Sequence, residues 1–179
     1  MNSEQVLVLP GWQNSGPQHW QSLWQDQFGY QRVAQHDWQR PLRGDWITRL
    51  EEVILATPGP LVLVAHSLGC QLVAAWAAVS RSTARIQGAL LVAPADTECD
   101  ELRQSLHSWC PVVRQPLGFA ATVVASANDP YCSLARASTF ANAWGASWVN
   151  IGAHGHVNAE SGLEDWPQGQ ALLQDLIAR

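Results

Sequence analysis

The string Ala65-His66-Ser67-Leu68-Gly69 lies between residues 61–65, a wholly apolar strand-like run, and an Ala-rich helical stretch over residues 70–79. A serine at a tight strand-to-helix corner needs small residues two before and two after it, because the turn crowds those positions. Ala65 and Gly69 satisfy that demand, although the commoner string has Gly where Ala65 stands. Such a corner exposes the hydroxyl and turns the next amide, here that of Leu68, towards the helix N-terminus, where a developing oxyanion is stabilised. The chemistry this implies is nucleophilic attack by Ser67. The plainer alternative is a serine that only caps the helix.

An attacking serine needs a base, and in corners of this kind the acid and then the histidine follow the serine along the chain. Six histidines are available. Those after the last strand-like run, His154 and His156 in Ile151-Gly152-Ala153-His154-Gly155-His156, compete for the role, and spacing does not choose between them. His66 should point away from Ser67, while His19, His36 and His107 read as surface or packing residues. Ser126-Ala127-Asn128-Asp129-Pro130 supplies the acid, Asp129, in a loop that Pro130 stiffens; Asp96, after the preceding strand, is its rival. The same residue types also build turns for local reasons alone. Pro10-Gly11-Trp12 closes the first strand, and the backbone N–H of Trp12 is the candidate second oxyanion donor beside that of Leu68.

Composition removes other chemistries. All ten basic residues are arginine, so no Walker loop, Schiff-base enzyme or Ser-Lys dyad can be built. A net charge of −5 speaks against a nucleic-acid surface. His154-x-His156 with Glu160 matches no zinc pattern, and no metal or other cofactor is expected. No apolar run is long enough to span a bilayer. The first residues carry neither a basic stretch nor a long apolar one, and the four cysteines include no C-x-x-C pair. A cytoplasmic protein with reduced thiols is expected.

These residues need a scaffold. Strands are read at residues 5–9, 30–34, 61–65, 89–93, 121–125 and 148–151. Helices are read at 18–28, from an N-cap at Asp45 to about residue 57, at 70–79, near 98–106, at Leu134–Trp144 and at 171–177. Strands apolar along their whole length are buried on both faces, and their alternation with helices predicts a three-layer α/β/α sandwich on a mostly parallel sheet. At 179 residues the chain fits one domain, 1–179. Only residues 94–117 are free to form a partial lid. From there Trp109, and from the segment after His156 Trp166, are the candidate pocket residues on position alone.

With these motifs in place, the chain resembles the small serine hydrolases of the retinoblastoma-binding protein nine type, a compact branch of the α/β-hydrolases. The likeness rests on Leu9-Pro10-Gly11-Trp12 with His19-Trp20, on Val64-Ala65-His66-Ser67-Leu68-Gly69-Cys70, on Asn128-Asp129-Pro130 and on Gly155-His156-Val157-Asn158. The resemblance implies Ser67 as nucleophile, Asp129 as acid and His156, rather than His154, as base. It also implies a trimmed sheet without the large cap domain of many lipases; the short chain in turn suggests a small acyl substrate, as an ester, thioester or amide. The family's partner-binding motif, Leu-x-Cys-x-Glu, is not reproduced: Leu68-Gly69-Cys70-Gln71-Leu72 lacks the Glu, so no retinoblastoma-type partner is expected. A binding or scaffold module with a vestigial triad and an acyltransferase are the other readings.

Overall fold

The computed structural model describes residues 5–178. Among them six strands form one sheet: β1 (Val6–Leu9), β2 (Gln31–Arg32), β3 (Leu61–His66), β4 (Ile86–Val92), β5 (Ala120–Ala125) and β6 (Ser147–Asn150). Their order is β2-β1-β3-β4-β5-β6 and every pairing is parallel, so the expected mostly parallel sheet is wholly so. The helices are α1 (Trp20–Phe28), α2 (Arg43–Ala56), α3 (Leu68–Ala77), α4 (Asp100–Arg103), α5 (Leu134–Trp144) and α6 (Pro167–Ile177).

Side chains alternate across the sheet with the strand period of two. Leu7, Leu9, Leu63, Ala65, Leu91 and Val123 pack against residues of α2, α3 and α5. Val6, Val8, Val62, Val64, Val92 and Val124 pack against residues of α1 and α6. This is the anticipated three-layer sandwich. No helix among the described residues is long and apolar enough to cross a membrane.

Several elements depart from their sequence-based bounds: β2 is shorter, β4 begins three residues earlier, and three helices differ for identifiable reasons. Asp45 is not the cap of α2: the helix starts at Arg43, and the Arg43 amide donates to the Ser108 hydroxyl at 3.3 Å, a cap supplied by a distant segment. Asp45 sits instead in the first turn, where its charge still favours the helix dipole. The helix expected near residues 98–106 shrinks to α4, followed by a 3-10 turn at His107–Trp109, because Leu102, Leu106 and Trp109 are all drawn into the core. α6 begins four residues earlier than read. Pro167 takes its first position, where a missing N–H costs nothing, and Gly169 faces the Trp166 ring so closely that a Cβ would lie 2.2 Å from it.

The chain leaves β1 for β2 on one side and then returns to β3 on the other. The connections that leave the carboxyl ends of the paired strands β1 and β3 therefore diverge to opposite faces of the sheet, a topological switch point where such sheets open a crevice. Gln21 spans the divergence, its side-chain amide donating to the carbonyls of Leu9 at 3.2 Å and Val64 at 3.1 Å. Two glycines let the backbones close in. A Cβ on Gly69 would lie 2.4 Å from the Leu9 carbonyl oxygen, and one on Gly11 would lie 2.7 Å from the Ser67 Cβ.

Gly69 lies inside α3, where alanine would ordinarily raise helix propensity. Here Gly69→Ala should lower stability instead, by about 1–3 kcal/mol, through overpacking against β1. A urea titration of the two proteins checks the sign; a gain in stability would mean that the close approach is not a constraint.

Candidate active site

Ser67 ends β3 and opens α3 with φ 56° and ψ −119°, a left-handed conformation that non-glycine residues rarely adopt. Surrounding bonds hold it there: its N–H donates to Val92 O at 2.9 Å, and its carbonyl accepts from Cys70 N at 3.0 Å. The hydroxyl thereby stands clear of both elements. The Ser67 Oγ lies 2.8 Å from His156 Nε2, and both oxygens of Asp129 lie 2.9 Å from His156 Nδ1. With Nδ1–H donating to the carboxylate, Nε2 accepts from the serine hydroxyl. The side chains of His156 and Asp129 are almost fully buried, at 10% and 2% exposure, so little water competes with the pair.

The loop carrying His156 is sewn down on three sides. Towards β5, the Ser126 hydroxyl accepts from His154 N at 2.9 Å, and Asn128 Oδ1 accepts from Gly155 N at 2.7 Å. Towards α1, the indole N–H of Trp20 donates to Val157 O at 2.8 Å and that of Trp24 to Asp165 O at 2.7 Å. Towards β3, His66 Nε2–H donates to the carbonyl of His156 itself at 2.9 Å. Val157, next to His156, is β-branched yet has φ 50°, strain that these fastenings must impose.

The loop after β1 is equally constrained. Gln13 and Asn14 both have φ 67°, and Arg32 reaches back to Asn14 Oδ1 at 2.7 Å and Ser15 O at 3.0 Å. Among the described residues, the Trp12 amide has no acceptor, and the Leu68 amide, first in α3, has none within its helix. Both flank Ser67 on the wall of a cavity of about 510 Å³ that also includes His19, His66, Leu102, Tyr131 and His156.

The structure thus brings Ser67, Asp129, His156, Leu68 and Trp12 together. The rivals lie elsewhere. His154 faces a neighbouring hollow with Asn128 and Pro130, and Asp96 is paired with Arg136 at 2.7 Å. Both candidate pocket tryptophans require correction. Trp109 and Trp166 are 1% and 2% exposed and neither lines the cavity. Trp109 is held inwards by its bond to Pro41 O at 2.8 Å, and Trp166 stacks on Trp24 at 5.9 Å, since burying an indole outweighs leaving it at a wet rim.

His19, read from the sequence as a surface or packing residue, is buried beside the site. It caps α1, its Nδ1 accepting from Gln21 N at 3.1 Å, and it packs edge-on against His66 with ring centres 4.6 Å apart. Its place in the His19-Trp20 pair, one position before a helix, was the available signal. Burial first, then the charge of Arg32, drives its pKa down to about 3; burial, then the neighbouring His19 and His156, likewise pushes His66 well below its usual range. Both rings are therefore neutral at pH 7, and His66 can offer its Nε2–H to the His156 carbonyl without a buried charge.

That neutrality has a cost in acid. Below the usual histidine pKa of 6.5 the unfolded chain binds protons that the two folded rings refuse. Stability is therefore complete above pH 6.5 and should fall as pH drops towards 3, by up to about 1.4 kcal/mol per pH unit for each proton. Chemical denaturation at stepped pH measures the slope, and His19→Gln should flatten it; a slope unchanged in that variant would contradict the assignment.

The description of a serine hydrolase matches residues 6–175 of this chain. Among solved structures, a protein from Pectobacterium atrosepticum described as a YdeN-like hydrolase is similar, with 29% identity and a TM-score of 0.83, covering 96% of this chain and 89% of that one. The ydeN product of B. subtilis superposes with a TM-score of 0.74 at 19% identity, covering 98% of this chain and all of the other (100%). Est1E from Butyrivibrio proteoclasticus, solved with ferulic acid, gives 0.75 at 12% identity over 98% of this chain and 90% of its own. The latter two show a shared fold. Comparison with proteins of curated function gives no match. The family match runs from β1 into α6 and so takes in the Ser67 corner, the Asp129 loop and the His156 loop alike: this chain belongs to the serine hydrolase family.

Proposed function

We propose that this hydrolase cleaves small esters, or related thioesters and amides, through an acyl-enzyme on Ser67. The observation that carries the reading is the hydrogen-bonded series Ser67 Oγ, His156, Asp129, with steps of 2.8 and 2.9 Å, its first two members on the wall of the 510 Å³ cavity. His156 Nε2 takes the hydroxyl proton as Oγ attacks the acyl carbon, and the carbonyl π pair becomes the oxyanion. Asp129 keeps the proton on Nδ1 and stabilises the imidazolium without itself being protonated. The amides of Leu68 and Trp12 receive the oxyanion. Collapse expels the leaving group, which takes the proton from Nε2. Water, deprotonated by His156, then attacks the acyl-enzyme and releases the acid and Ser67.

The strained backbone of Ser67 supports this reading over a simple cap: its side chain makes no capping bond to α3, although it occupies the cap position. The four cysteines are unpaired, which suits the reducing interior of a cell.

A fluorophosphonate probe should label Ser67 rapidly in the native protein and not in His156→Ala. Ser67→Ala should lower turnover of a short-chain activated ester by on the order of 10⁶. Asp129→Asn, which presents the wrong tautomer, should cost on the order of 10⁴ in kcat. Folded protein that resists the probe would instead identify a binding module, and an added alcohol that outcompetes water for the acyl group would identify a transferase.

A further inference from the structure

The charge inside the cavity is one-sided. Glu101, from α4, and Glu160, from the 3-10 turn after the His156 loop, both line it, both are exposed, and among the described residues neither is in an ion pair. The contrast with nearby carboxylates is sharp. Asp96 and Glu98, in the segment that leads to α4, are neutralised by Arg136, and Glu98 also by Arg114. The chain has no lysine, and among the described residues no arginine lines the cavity.

The rest of the lining suits a cationic, polar guest. Trp12 and Tyr131 are aromatic walls, and the Tyr131 ring stands edge-on to His156 with centres 4.7 Å apart, beside the reacting atoms. Aromatic faces attract ammonium groups, and two uncompensated carboxylates at a concave mouth concentrate cations and repel anions. Independently, His19 is 5% exposed and its Nε2 is buried without a partner. Since its Nδ1 accepts from Gln21 N and the ring is neutral, Nε2 carries a hydrogen, an unspent donor on a residue of the same wall.

We propose that this cavity selects substrates bearing a positive charge, ammonium-substituted esters or amides, with Glu101 and Glu160 as its specificity-determining residues. The proposal rests on the reading of Ser67 as nucleophile. It gives no discrimination by chain length, only by sign of charge: cation over neutral isostere, and neutral over anion.

The test compares isosteric pairs. One is the acetate ester of a quaternary-ammonium alcohol against that of its tert-butyl counterpart; the other is an ω-ammonio acyl ester against the alkanoyl and ω-carboxyl acyl esters of equal length. At low salt, kcat/KM should favour the cation about 3- to 20-fold in at least one pair, and the preference should shrink as salt is added. In the Glu101→Gln/Glu160→Gln double variant the ratio should fall to near one; a ratio within each protein does not depend on how much of it is folded. Ratios at or below one in both pairs, with Ser67 still labelled by the fluorophosphonate, overturn this proposal alone. A preference that survives in the double variant also overturns it. Native protein that the probe does not label removes the nucleophile, and the proposal with it.

Discussion

Everything at this site depends on one crowded contact, the loop after β1 pressed against the corner between β3 and α3. A parallel sheet whose connections diverge would normally leave unpaired carbonyls and a gap at that point. Here Gln21 satisfies the carbonyls and glycines at 11 and 69 remove the side chains that would keep the backbones apart. The left-handed Ser67 is the product of that squeeze. Its strain, of order 1–3 kcal/mol, persists because the surrounding ladder bonds over-determine it.

A second regularity concerns the tryptophans. Seven of their ten rings are buried in the two core layers, but several indole N–H groups leave the core to fasten loop carbonyls: Trp20 on Val157, Trp24 on Asp165, Trp46 on Asp37, Trp109 on Pro41 and Trp144 on Val113. An indole is suited to this because it couples a large apolar area to a single directional donor. The loop that carries His156 receives two of these bonds, so its position is set by α1 although it is far away in sequence.

The central strands and the Ser67 corner were legible because they depend on local rules: uninterrupted apolar runs for doubly buried strands, and small residues flanking a serine at a tight turn. Asp129 and His156 were legible through chain order, but the choice between His156 and His154 came only from the family resemblance, since two residues of separation say nothing about which ring turns inwards. Tertiary bonding decides that, through Ser126 and Asn128 on the one side and His66 on the other. The tryptophans were the least legible. Position near a rim suggested pocket lining for Trp109 and Trp166, whereas each ring had a buried berth available. The start of α2 escaped for a similar reason: its cap, Ser108, comes from 65 residues away.

The fastening pattern has a bearing on how such a small scaffold can change. The loop that carries His156 is anchored to α1 and β3 as well as to the Asp129 loop, so slack introduced into a more distant segment need not be transmitted to it. The segment between β4 and β5, which carries α4 and Glu101 and is tied through Trp109 and Arg136, is then a stretch that could lengthen into a fuller cover while Ser67, His156 and Asp129 stay in register. A pared-down hydrolase of this design is in that sense a chassis, on which selectivity can be rebuilt without touching the chemistry.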